Sequence, residues 1–252
     1  MQIDLNADLG ESFGPWVMGH DEAMLGLVTS ANIACGGHAG DPETMFATLK
    51  QAADRGVSVG AHPGYADREG FGRRIIPMSP GEVTRMVTAQ IGALVGMAGL
   101  AGARVGYVKP HGALSNLASR DDDVSGAICD AIAAFDQPLA LLAISGTRME
   151  QVGKARGLTV FSEIFADRAY QADGQLVPRS TAGAVLHDPS EAADRLVAFL
   201  ETGRMPVLGG GDIALDAQSI CVHGDNPAAV ETAARIREAL TAQGVTLAPF
   251  LA

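Results

Sequence analysis

One unit, repeated along the chain, limits the fold more than anything else in the sequence: a short β-type run, a loop, and a helix that opens on a proline behind a capping residue. Candidate strands fall at 2–8, 28–34, 57–62, 104–109, 139–144, 158–165 and 219–223. Between them stand Asp41-Pro42-Glu43, Ser79-Pro80-Gly81-Glu82 and Asp188-Pro189-Ser190-Glu191, and Asn226-Pro227 opens the last helix after the seventh run. Each joins a side chain that can accept from free helix N–H groups to a proline whose fixed φ suits the first helical position. Gly56, Gly157, Gly203 and Gly244 follow helical stretches, where a left-handed residue ends a helix. Strands separated by helices run parallel, because each crossover returns the chain to the same end of the sheet. Seven such units with no linker between them predict one domain over residues 1–252. The class is α/β, and the arrangement is a distorted seven-stranded parallel (β/α) barrel, with an open doubly wound sheet as the competing arrangement. A length of 252 residues is ordinary for one barrel.

Two segments break the rhythm. Residues 65–77 form a Gly/Arg-rich loop, and 167–187 reads as a hairpin excursion after the sixth strand. Long loops in compact domains commonly carry function. The net charge of -11, with no Lys/Arg cluster, argues against nucleic acid. No apolar run approaches the ~20 residues of a membrane span, and no basic segment followed by an apolar one opens the chain. The expectation is a cytoplasmic protein with neither nucleic acid nor membrane as partner. Cys35, Cys129 and Cys221 are far apart and read as small buried hydrophobes in a reducing compartment.

The first strand carries the sharpest clue. Ile3, Leu5, Ala7 and Leu9 alternate with Asp4, Asn6 and Asp8, and strand side chains alternate between faces. With helices outside the barrel, the acids and the amide point inward. Ser30 and Asn32 repeat the layout, as do Ser58, Gly60 and His62, then Lys109 and His111. Glu163 lies late in the sixth strand, with Arg168 beyond it, and His223 ends the seventh. His38, His62, His111 and His223 thus follow the C-terminal ends of four strands, the end where barrel active sites are built.

Two chemistries suit such a set. One is general acid–base catalysis by an Asp or His tuned by its surroundings. The other is a divalent metal held by Asp8, His38 and His62, activating water. Lys109, beside the acids, suits an anionic substrate or developing negative charge. The arginines of Gly70-Phe71-Gly72-Arg73-Arg74 could fork onto a carboxylate or phosphate, as could Arg168 and Arg179. Gly209-Gly210-Gly211-Asp212 lacks the ending of a phosphate-binding P-loop and reads as a turn. Asn6, Asn32, Arg73, Glu163, Arg168 and His223 are the candidates for substrate contact.

Several long motifs are similar to those of one family. They are Asp4-Leu5-Asn6-Ala7-Asp8-Leu9-Gly10-Glu11, Ala31-Asn32-Ile33-Ala34-Cys35-Gly36, His38-Ala39-Gly40-Asp41-Pro42, Gly60-Ala61-His62-Pro63, Gly70-Phe71-Gly72-Arg73-Arg74, Val108-Lys109-Pro110-His111-Gly112-Ala113-Leu114, Phe165-Ala166-Asp167-Arg168-Ala169-Tyr170 and Ile220-Cys221-Val222-His223-Gly224-Asp225. Together they resemble the LamB/YcsF family over almost the whole chain. The resemblance implies a barrel of the glycoside hydrolase/deacetylase type. It also implies cleavage of 5-oxo-L-proline to L-glutamate coupled to ATP hydrolysis, in a complex with B and C subunits, with Asp8, His38, His62, Lys109 and His111 at the family's motif positions. Gly37 and Ser115 depart from the family's pattern of an aromatic residue and a tyrosine at those positions. With no P-loop in this chain, ATP is expected to be bound mainly by the partner subunits.

Overall fold

A computed structural model describes residues 1–222 and 227–251. In chain order the strands are β1 (Gln2–Leu9), β2 (Ser30–Ala34), β3 (Ser58–His62), β4 (Val105–Val108), β5 (Ala140–Ile144), β6 (Val160–Phe165), β7 (Arg204–Pro206), β8 (Asp212–Ala214), β9 (Ser219–Val222) and β10 (Thr246–Leu247). The helices are α1 (Asp21–Leu25), α2 (Pro42–Arg55), α3 (Pro80–Ala101), α4 (Gly112–Ala118), α5 (Asp122–Ala133), α6 (Arg148–Ala155), α7 (Pro189–Thr202) and α8 (Pro227–Ala242).

Strands β1 to β6 pair in sequence order, β6 pairs with β9, and β9 returns to β1, every pairing parallel. The ring is therefore the closed seven-stranded (β/α) barrel, not an open sheet. All seven expected strands are present with ends shifted by no more than a few residues. Nothing in the sequence pattern marks β10, which pairs with Gln2 and Ile3 at the start of β1. Nor does that pattern separate the antiparallel hairpin β7–β8, turned by Gly209, Gly210 and Gly211, all at positive φ. Strands of two or three residues are too short to display an alternation. Segment 167–187 does fold back on itself, through bridges Arg168↔Val185 and Tyr170↔Leu176.

The helix starts follow the capping chemistry. The Asp41 carboxylate accepts from Thr44 N at 2.8 Å, and Glu82 Oε2 accepts from Ser79 N at 2.7 Å. Asp188 caps α7 through Ser190 N at 2.8 Å. Gly56, Gly102 and Gly203 close α2, α3 and α7 in the left-handed conformation. The outward residues of β1, Leu5, Ala7 and Leu9, are buried in one cluster with Leu49, Val87, Ile91 and Ile128 of the surrounding helices. Helix α3, at 22 residues, is long and apolar enough by composition to cross a membrane, nearer that limit than the sequence suggested. Its stripe of Val83, Val87, Ile91, Leu94 and Ala98 packs into the barrel's outer core.

Candidate active site

The inward faces stack in two tiers. At the floor, Asp4 is fully buried. Its Oδ1 accepts from Thr29 Oγ1 and Ser30 Oγ, each at 2.6 Å, and its Oδ2 accepts from the Ser219 hydroxyl. Burial raises its pKa against the pull of those three hydroxyls. The Asn6 amide links the tiers. Its Nδ2 donates to Ser219 Oγ at 2.7 Å, and its Oδ1 accepts from Asn32 Nδ2 at 2.7 Å and from Lys109 Nζ at 3.2 Å. Tyr107 fits inside because β3 carries Gly60 opposite it: a Cβ there would sit 2.2 Å from the tyrosine ring. The Tyr107 hydroxyl donates to Asn32 Oδ1 at 2.7 Å.

Lys109 is the hub of the upper tier. Its ammonium lies 2.9 Å from Asp8 Oδ1, 3.1 Å from Glu163 Oε2, 3.1 Å from Cys221 Sγ and 3.2 Å from Asn6 Oδ1. Three N–H groups facing four acceptors leave none over for a substrate. Burial opposes the charge, but Asp8, then Cys221 and Glu163, outweigh it and hold the Lys109 pKa well above its usual value. Burial likewise raises the Glu163 carboxyl, with Lys109 opposing. The anion-binding role read for Lys109 thus meets a lysine already saturated by its own barrel. Cys221, read as a bland core residue, is one of its partners.

Above Lys109 stand the imidazoles. The β3–β4 ladder continues past both strand ends, with His111 N donating to Pro63 O at 2.8 Å, and this sets His111 beside His62. His62 Nδ1 lies 2.7 Å from Lys109 O, and His111 Nε2 lies 2.8 Å from Phe71 O. Carbonyl oxygens only accept, so both of these ring nitrogens carry hydrogen. Phe71 has φ +53, and among the described residues it is the one non-glycine at positive φ. That conformation costs on the order of 1–3 kcal/mol and aims its carbonyl at His111. Gly72 follows at φ +61, where a Cβ would lie 2.7 Å from His38 and 2.9 Å from His111. His38 stacks flat on His111 with ring centroids 3.6 Å apart, and both rings stand edge-on to His62. Burial drives the His38 and His111 pKa values well below 6.5.

Glu11, not singled out from sequence, completes the group. Its Oε1 lies 3.3 Å from His38 Nε2 and 3.9 Å from His111 Nδ1. Glu11, His38, His62 and His111 each offer a ligand atom, all within 4.8 Å of one another, a set that could hold a metal ion. Asp8 flanks it, with Oδ2 3.3 Å from His62 Nε2.

This group floors a cavity of about 720 Å³ at the C-terminal mouth of the barrel. Asp8, Glu11, His62, Lys109 and His111 line its floor, while Arg73, Arg120, Arg168 and Arg179 line its walls. Arg168 is tied to its own loop by a 2.7 Å bond to Val177 O, and burial lowers its pKa to about 10. Arg74, in the loop expected to clamp an anion, instead holds Asp67 through Nε at 2.9 Å. That pairing keeps the Asp67 carboxyl at about 2. Neither Asn6 nor Asn32 lines the space: Asn32 donates to Asp8 Oδ1 at 2.8 Å and so orients it, and Asn6 accepts from Asn32. His223, the last candidate for substrate contact, lies outside the described residues.

The model of the LamB/YcsF family matches residues 3–252. A protein from Gluconobacter oxydans (strain 621H), named as the A subunit of 5-oxoprolinase, is 51% identical over 97% of this chain and 96% of its own length. One of the same name from Nocardia farcinica (strain IFM 10152) is 52% identical over the full length of both. Among solved structures, a lactam utilization protein from Thermus thermophilus is 44% identical, with a TM-score of 0.93 over 99% of this chain and 100% of that one.

Proposed function

We propose that this chain, which belongs to the LamB/YcsF family, is the ring-opening subunit of an ATP-dependent 5-oxoprolinase, a hydrolase that converts 5-oxo-L-proline to L-glutamate. It acts as one domain over residues 1–252, in the cytoplasm, together with B and C subunits that bind the ATP. Relatives about half identical along the whole chain, named as the A subunit of that enzyme, support the reading. The observation that carries it is the placement of Asp8. One of its oxygens takes the Lys109 ammonium at 2.9 Å, while the other faces His62 at the open floor of the cavity. A carboxylate so held is a base aimed at water beside a bound carbonyl carbon.

A five-membered lactam is a stable amide, and its carbonyl carbon needs activation before water attacks. In this reading the partners transfer the γ-phosphoryl of ATP to the lactam oxygen. Water then adds to the ring carbon of that imidate phosphate, with Asp8 and His62 handling its protons. The C–N bond breaks, both protons of the water end on nitrogen as the free amine, and the carbon is left as an acyl phosphate. A second water releases phosphate and the side-chain carboxylate of glutamate. Arg73 and Arg168, on the cavity wall, meet the substrate's carboxylate and phosphate. Lys109, itself anchored on Glu163, holds the Asp8 side chain in place.

The test is co-expression with B and C subunits and measurement of glutamate released from 5-oxoproline with and without ATP. ATP-dependent release that disappears when this chain is omitted supports the reading. Equal release without ATP, or none with all three subunits present, rejects it.

A further inference from the structure

The imidazole protons leave a gap in the hydrogen-bond network. His62 Nδ1 and His111 Nε2 commit their hydrogens to the Lys109 and Phe71 carbonyls. In the neutral rings, His62 Nε2 and His111 Nδ1 are therefore bare lone pairs, and they face each other at 3.1 Å. Their next neighbours are acceptors too, Asp8 Oδ2 at 3.3 Å from His62 and Glu11 Oε1 at 3.9 Å from His111. Two lone pairs facing each other at 3.1 Å repel one another unless a proton or a metal ion lies between them. Glu11, His38, His62 and His111 each bring a ligand atom to this space, all within 4.8 Å of one another.

We infer that His62 Nε2, His111 Nδ1 and the Glu11 carboxylate bind one divalent transition-metal ion, with its open side toward the cavity. Two ligand atoms about 2.0–2.1 Å from a tetrahedral ion stand about 3.3–3.4 Å apart, near the 3.1 Å between the two nitrogens. Both rings are oriented by backbone carbonyls on their far nitrogens, the arrangement that fixes tautomer and direction in metal-bound histidines. His38 is a positioning residue. Its ring lies parallel to His111 at 3.6 Å, so an ion in the plane of one ring sits well outside the plane of the other. Its Nε2 reaches Glu11 at 3.3 Å, while its Nδ1 is buried without a hydrogen-bond partner. Asp8, Glu11, His62 and His111 line the cavity and His38 does not, which leaves the ion's fourth position open beside Asp8. There it would lower the pKa of bound water or polarise the substrate oxygen. The set departs from the trio of Asp8, His38 and His62 expected from sequence: Glu11 and His111 enter, and Asp8 becomes the neighbouring base. The inference deepens the reading above, placing proton handling on Asp8 alone.

The experiment strips the purified chain with a chelator and titrates it with Zn²⁺ and Co²⁺. Bound metal is read by elemental analysis, the cobalt form by visible absorption, and each chain by thermal unfolding. The expected result is about one ion per chain, four- or five-coordinate cobalt spectra, and a rise in unfolding temperature with Zn²⁺. Glu11→Gln and His111→Gln each weaken binding about 100-fold or more and abolish that rise. Two conservative variants guard against a folding defect in either. Binding far below one equivalent in the wild-type chain overturns the inference, as does unchanged affinity in a folded variant. Because no partner or substrate is involved, that failure leaves ring opening standing. Metal bound as expected, with no ATP-dependent glutamate release in the three-subunit complex, would sink the ring-opening reading alone.

Discussion

The floor and the mouth of this barrel are built from the same strands by the same alternation, yet they are chemically opposite. At the floor, Asp4 is surrounded by the hydroxyls of Thr29, Ser30 and Ser219, every contact a donor meeting an acceptor. At the mouth, Asp8 shares Lys109 with Glu163, while its outer oxygen and the inner nitrogens of His62 and His111 confront one another. Both tiers bury polar groups at a cost that folding must offset. The floor meets that cost locally with neutral donors, and so serves structure. The mouth meets it with the Lys109 ammonium and turns the inner nitrogens of His62 and His111 toward each other beside a cavity, and so is poised for chemistry. Alternation puts polar groups inside; whether their hydrogen bonds close separates the two uses.

The strongest way to break the comparison is to remove the cation that lets the mouth exist. In Lys109→Met, Asp8 and Glu163 keep their burial and lose their ammonium. Stripping one partner from a buried pair costs about 3–5 kcal/mol, and the denaturant midpoint should fall accordingly, with glutamate formation in the full complex abolished. A chain that unfolds at the wild-type midpoint would mean Lys109 is not what keeps those acids folded inside.

Next in size is Asp8→Asn, which keeps the shape and the Lys109 contact but removes the base. The expected loss in ATP-dependent glutamate formation is about 10²–10⁴-fold in kcat, with secondary structure unchanged by circular dichroism. Full turnover in this variant would move the base elsewhere in the cavity.

The difference between the tiers also marks how far the sequence could be read. The seven barrel strands were legible because short β-type runs recur with helix starts and glycine stops, four of those starts marked by a capping residue and a proline. Asp8, His62, Lys109 and His111 were legible because alternation and strand ends fix their direction. Glu11 was not: it follows Gly10 at φ +68, where the chain leaves the strand and period-two counting no longer says where a side chain points. Arg74 was ambiguous for a related reason, since its partner Asp67 lies in the same irregular loop. Tyr107 occupies an inward position that counting allows, but its fit depends on Gly60 of another strand, a matter of register. The saturation of Lys109 by Cys221 and Glu163 likewise needs the closure of β6 and β9 around it.

The smallest expected effect sharpens the comparison from the other side. Asp4→Asn keeps the side-chain shape but turns one acceptor into a donor facing Ser219, whose oxygen already accepts from Asn6 at 2.7 Å. The mismatch should cost about 1 kcal/mol, with ATP-dependent glutamate formation close to wild type. The cost should also depend on pH, with a defined sign. Burial raises the folded-state pKa of Asp4 above 3.8, so its contribution to wild-type stability is complete below that value. The contribution is lost as pH rises through the folded-state pKa, because the charged form is the one that burial penalises. Asn has no such decline. The deficit of the variant should therefore be greatest at acid pH and shrink as pH rises past 3.8, then level off once Asp4 is ionised in both states. Denaturant midpoints of the two chains across the acid range measure it. A deficit that instead widens with pH would make Asp4 a stabilising anion, and a loss of activity as deep as in Asp8→Asn would erase the distinction between floor and mouth.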